Sequence, residues 1–157
     1  MKNRTPLIVT SLLAILITAA LLLWLFNGNA KYKYTSPTSA EQLRGEFESA
    51  LKAKDVNGII GMFYWQGVSD DYKLQAIQEI GALVNAEWTA VRLAPFPADY
   101  QATIEANGVR YRPSVPVIGW VVVDALPKGN TAQFQYGKSG DTFYLSCNVQ
   151  EKIADPK

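Results

Sequence analysis

The hydrophobic period changes once along this chain, near Trp88, and that change constrains the fold more than any motif does. Before it, apolar residues recur at helical spacing. Leu43, Phe47, Ala50 and Leu51 predict a helix with one buried face over residues 39–54. Thr38, with Glu41 three residues on, reads as its capping pair. Asp55 is placed to cap a second helix, whose apolar face Ile59, Ile60 and Phe63 runs on through Met62 to Trp65. Gly58 and Gly61 lower its helix propensity, so packing must hold it. Gly67 breaks the run. Asp70 or Asp71 starts a third helix, with Leu74, Ile77, Ile80 and Val84 on one side.

After Trp88 the pattern alternates. Strands are predicted over residues 88–93, 100–106, 109–112, 117–126, 131–136 and 142–149. Pro95 and Pro97 separate the first two. Asn107-Gly108 is a tight-hairpin signal, because both residues tolerate positive φ. The most apolar strand, Val117 to Leu126, is expected near the sheet centre. The chain after Gln150 reads as frayed. Helices first and strands second argue for an α+β fold: two or three helices packed on a curved, mostly antiparallel sheet of about five or six strands.

Leu7 to Phe26 is a run of twenty uncharged, mostly apolar residues. As a helix it would rise about 30 Å, the thickness of a bilayer's hydrocarbon core. The expectation is a transmembrane helix at 7–26, a cytoplasmic stretch at 1–6 carrying Lys2 and Arg4, a polar tether at 27–37, and an extracytoplasmic domain at 38–157. Tyr32 and Tyr34 would rest at the headgroup level. The rival reading is a secretory signal cleaved after Ala30, with secretion of the rest. Either way, the domain would lie outside the cytoplasm.

Composition narrows the chemistry. The chain has 15 Lys and Arg, 14 Asp and Glu, and no histidine. Setting Lys2 and Arg4 aside leaves 13 basic residues against those 14 acidic ones, with no basic stripe, so nucleic acid is not an expected partner. Without histidine, Ser-His-Asp and Cys-His nucleophile activation and His-containing metal sites are excluded. No metal or cofactor is expected. The lone Cys147 cannot form an intrachain disulfide. Its alternating neighbours Phe143, Leu145 and Val149 make it a core thiol, or a bridge to another chain if it is exposed.

The helix from Leu43 to Asp55, the helical pair it begins, and the strands Gln133–Gly137 and Thr142–Leu145 resemble the NTF2-like/cystatin-like superfamily, over Glu41 to Val149. The resemblance implies a cone-shaped α+β domain that pairs through its open sheet face, binds ligands, or assembles into envelope complexes. Catalytic members commonly use His or Asp in the cone, and this chain lacks the former.

Six residues are candidates for contact with a ligand or partner. Tyr64 and Trp65 end an aromatic cluster and suit a contact surface or pocket rim. Asp124 shares a strand face with Trp120 and Val122; it is a general base if that face lines a pocket, and an exposed strand end otherwise. Arg92 meets a carboxylate in such a pocket, or lies in solvent with its stem over Trp88. Arg110 and Arg112 flank Tyr111 beside the hairpin; the two arginines could grip an anionic partner, or belong to a solvated strand face, and Arg110 and Tyr111 are kept as contact candidates. The expected function is a non-catalytic, membrane-tethered interaction or accessory subunit of an envelope complex. Its partners would be membrane or envelope proteins, a second copy of itself, and the bilayer through Leu7–Phe26. The alternative is a small-molecule-binding domain or a simple carboxylate-based enzyme of NTF2-like type. An immunity or inhibitor protein is a third option.

Overall fold

The computed structural model describes residues 34–153. Helix α1 (Ala40–Ala53) forms where the 3.6-residue period predicts it. Its cap is Ser39 rather than Thr38: the Ser39 hydroxyl accepts from the backbone N–H of Gln42 at 3.1 Å. Thr38 instead donates its own N–H to the Gln42 side chain. One face of α1 buries Leu43, Phe47, Ala50 and Leu51 almost completely. Lys54, in a left-handed conformation, ends it. Asp55 caps α2 (Val56–Gly61), accepting from the N–H of Gly58 at 2.9 Å.

The second helix stops earlier than its apolar pattern suggests. Phe63–Tyr64 is a short strand, β1, pairing in parallel with the last part of the sheet. Extended backbone lets Phe63 reach the core while Tyr64 faces the other way. Helix α3 (Asp70–Leu83) follows. It buries Ile80 and Leu83, and Val84 at its end, but leaves Leu74 56 % exposed, so the predicted apolar stripe is shifted toward its C-terminal half.

The remaining strands are β2 (Trp88–Pro95), β3 (Ile104–Ala106), β4 (Val109–Pro113), β5 (Val117–Ala125), β6 (Asn130–Ser139), β7 (Thr142–Ser146) and β8 (Asn148–Lys152). They form two sheets rather than one. The larger has the order β1-β7-β6-β5-β2, and the smaller has the order β3-β4-β8. The α+β class stands. The single sheet of five or six strands is corrected to a five-stranded mixed sheet plus a three-stranded one. The predicted strand 142–149 is divided at Cys147, and the expected fraying after Gln150 is replaced by pairing through Lys152. The predicted strand 100–106 survives only at Ile104–Ala106.

Alternation assigns the faces of the larger sheet. Val91, Val121, Val123, Tyr136 and Leu145 pack with Phe47, Ile59 and Ile80 in one core under the helices. Trp120, Val122 and Asp124 point to the opposite face. Tyr34 and Pro37 join the domain rather than a headgroup layer: the Tyr34 hydroxyl donates to the carbonyl of Phe143 at 2.8 Å, and the Phe143 N–H donates to the carbonyl of Pro37.

The predicted span Leu7–Phe26 lies outside the described residues. Among the described residues, no helix is long and apolar enough to cross a membrane. The helices found there are 14, 6 and 14 residues long, and the two longer ones carry charged residues on their polar faces. The single-pass fold, the membrane location, the bilayer contact and the tethered envelope-subunit role are set aside on this finding.

Candidate functional site

Two adjoining clefts lie where the larger sheet meets the smaller one. The larger, about 390 Å³, is lined by Tyr100, Gln101, Ala102, Ile104, Tyr111, Trp120, Gln135 and Asn148. The smaller, about 200 Å³, shares Trp120, Gln135 and Asn148, and adds Phe63, Phe134, Gln133, Ser146, Cys147 and one stripe of α3. That stripe is Tyr72, Gln75, Ala76 and Glu79, a set of helical neighbours at three- and four-residue spacing.

Local structure explains how these residues converge. In the β5–β6 register Trp120 lies opposite Gln135, so both project from the face away from the main core. Strand β7 pairs only with Tyr136–Ser139 of β6, which leaves the edge of β6 before Tyr136 facing α3 across the smaller cleft. Pro95 and Pro97 bracket Phe96 and end β2. The following loop turns back, with the Tyr100 N–H donating to the Pro97 carbonyl at 3.0 Å.

The loop is fastened by aromatic contact. Phe96 stacks on Tyr100 with ring centroids 4.0 Å apart and planes at 14°. Both rings meet Trp120 edge to face, at 5.0 and 5.3 Å. Gln135 donates its side-chain N–H to the Tyr100 hydroxyl. Burial raises the Tyr100 pKa above the ordinary phenol value, and the Gln135 contact opposes that shift, so Tyr100 is a neutral hydroxyl at physiological pH.

The opposite wall depends on the crossover at Cys147. Ser114 and Ser146 are buried there, with their hydroxyls 3.4 Å apart. The Ser114 N–H donates to the Ser146 hydroxyl and to the Cys147 carbonyl, and the Cys147 N–H donates to the Ser114 hydroxyl. These bonds replace the ladder bonds lost where the strand changes sheets. Asn148 and β4 are thereby carried against Trp120. Cys147 itself is half-buried rather than sealed in the core, and burial raises its thiol pKa, which keeps it protonated.

The six sequence candidates scatter. Tyr111 lines the larger cleft. Arg92 and Asp124 find each other: Arg92 Nε lies 3.1 Å from Asp124 Oδ2 and Arg92 Nη2 lies 3.3 Å from Asp124 Oδ1. Their side chains are 53 % and 33 % exposed, and neither lines either of these two clefts. Arg110 pairs with Glu105 at 2.8 Å, and its neighbour Arg112 with Glu151 at 2.6 Å. Trp65 stacks on Phe63 and donates its indole N–H to the Ile60 carbonyl at 3.0 Å. Tyr64 donates to Gln66 and meets the ring of Tyr144. Sequence reasoning missed Tyr100, Gln135 and Asn148. The available signal was a pair of glutamines, Gln133 and Gln135, alternating with Ala132, Phe134 and Tyr136 on a strand beside the one bearing Trp120.

Among the described residues, no group of three or more His, Cys, Asp or Glu side chains is arranged to hold a metal ion. Of the residues lining the two clefts, Glu79 is the single charged one. The walls combine aromatic rings with the amides of Gln75, Gln101, Gln133, Gln135 and Asn148, which can both donate and accept hydrogen bonds.

No family model matches this chain, and neither a curated protein nor a solved structure is significantly similar to it. The resemblance to the NTF2-like/cystatin-like superfamily therefore stands at its coarser level: a small α+β domain with a mixed sheet and few helices.

Proposed function

We propose that this protein is a small-molecule-binding domain whose site is the cleft around Trp120. The observation that carries the reading is the 390 Å³ cleft itself, walled by aromatic rings and amides with no charged lining residue. Ligand sites commonly occupy about 300–1,000 Å³ and combine apolar surface with a few placed polar groups. Tyr100, Tyr111 and Trp120 supply the apolar part, with Phe96 backing Tyr100 and Trp120, and Gln135 and Asn148 supply the polar part. Ligand binding is also one of the roles implied by the NTF2-like resemblance.

A reaction run by Asp124 is not part of this proposal. Its carboxylate is occupied by Arg92 on a partly exposed sheet face, away from both clefts. A general base must come within hydrogen-bond reach of the proton it removes.

The test is a fragment screen of uncharged compounds against the full chain, read by NMR at the side-chain N–H signals. Hits are expected to move the Trp120 indole together with the Gln135 and Asn148 amides. The Trp65 indole, bonded to Ile60, serves as the internal control and should stay in place. A library that leaves the Trp120 signal unmoved at millimolar concentration would refute the site.

A further inference from the structure

We infer that the two clefts are adjoining subsites for a neutral oligosaccharide, with Trp120 as the platform between them; this rests on the cleft around Trp120 being a ligand site. Trp120 lines both clefts, as do Gln135 and Asn148, so a chain of at least two rings can contact the shared residues from either side. Three features of the walls select the ligand class.

The first is charge. The larger cleft has no charged lining residue, and the smaller has Glu79 alone, whose carboxylate already accepts from Gln75 at 2.9 Å. An ionic ligand would lose hydration there without gaining a counter-charge. A single-stranded nucleic acid would need a cationic track beside its stacking platforms. The second is the abundance of amides. A purely apolar ligand would desolvate the amides of Gln101, Gln133 and Asn148 without giving them partners. Sugar hydroxyls donate and accept at once, as these amides do. The third is the aromatic content. The electron-rich face of an indole or phenol ring attracts the partly positive C–H groups of a pyranose face, while the rest of the sugar edge stays free for hydrogen bonding. Peptides captured by strand addition are held mainly through main-chain groups, whereas the larger cleft presents side chains from a loop, both sheets and the start of β8.

The full chain would be titrated by calorimetry with maltohexaose, cellohexaose, the hexamer of N-acetylglucosamine, and an uncharged Gly/Ser/Ala hexapeptide. At least one saccharide is expected to bind with a Kd below about 1 mM and the peptide more weakly. Trp120→Ala should weaken that saccharide by about tenfold or more, as loss of a stacking platform requires. Because Trp120→Ala removes packing as well, the double variant Gln133→Ala/Asn148→Ala at two exposed positions provides an independent loss of about fivefold or more. Lys128→Ala, in the exposed turn between β5 and β6, should leave the affinity unchanged. Three results would overturn the inference: no saccharide binding, tighter binding of the peptide, or affinity indifferent to both cleft variants. Fragment hits at the Trp120 indole without saccharide binding would reject the oligosaccharide while leaving the ligand site standing. Silence in both experiments would remove both.

Discussion

Among the glycines of the described residues, Gly137 has the least room for a side chain. A Cβ built on it would lie 1.9 Å from the carbonyl oxygen of Pro116 and 2.7 Å from its carbonyl carbon. Those are backbone atoms, so no rotamer change relieves the clash. The same carbonyl accepts from the Lys138 N–H at 3.2 Å, which holds the start of β5 against β6. Gly137→Ala is therefore expected to lower the unfolding free energy by about 3 kcal/mol, at the upper end of overpacking costs. Urea denaturation measures it, and a loss below about 1 kcal/mol would show that the strand pair can spread without penalty. Side chains at the residue scale also explain why the charged candidates failed as site residues. Arg92, Arg110 and Asp124 each have a partner on a neighbouring strand, and a satisfied exposed pair contributes only about 0–1 kcal/mol. Sequence alternation placed Arg92 and Asp124 in strands but could show neither the register shift between Trp88 and Ala90 nor that β2 and β5 are neighbours.

At the scale of elements, the helices were the most legible part of the chain, because their signals are local. The 3.6-residue period located α1 almost to its ends, and Asp55 was readable as a cap from its position between two apolar stripes. The cap of α2 has a measurable value. Asp55→Ala removes the bond to the Gly58 N–H within a buried helix start and should cost about 1–2 kcal/mol. Ser69 precedes α3 but makes no side-chain cap bond, so Ser69→Ala should stay within about 0.5 kcal/mol of the parent. Equal midpoints for the two variants in urea would contradict this assignment of caps. The helix–strand boundary at Met62 was not legible. Short apolar runs read alike as helix or strand, and the choice here is made by β7, whose Leu145 N–H donates to the Met62 carbonyl at 2.8 Å.

Across the molecule, helices, strands and the segment before α1 are joined by tyrosines that are partly or fully buried. Tyr34 donates to β7, Tyr136 packs in the core, and Tyr100 fastens the loop to β6. Burial is the main cause that raises the pKa of all three; for Tyr34, Tyr144 and Glu46 add to the shift. In the unfolded chain each phenol ionises near pH 10. Above that value the unfolded state releases protons that the folded state retains, so it binds fewer protons and stability falls as pH rises. Their contribution is fully present below about pH 10 and is lost on the way up to the raised folded values. Urea midpoints should begin to fall above about pH 8.5, where Cys147 ionises in the unfolded chain but is held protonated by burial in the folded one, and should fall more steeply above about pH 10, where the tyrosines join. A midpoint still level at about pH 11 would mean that these hydroxyls ionise as easily folded as unfolded.

Among the described residues, the amino-acid order alone determined the α+β class, where each helix starts and most strand positions, because hydrophobic period and caps act over a few residues. Tertiary structure decided the site. Gln135 meets Tyr100 across 35 positions, and Ser114 meets Cys147 across 33. Those contacts exist because β7 gives way to β8 at Cys147 and the strand passes into a second sheet. Where a strand leaves a sheet depends on which backbone groups find partners elsewhere, and here two buried serines far apart in the chain supply them.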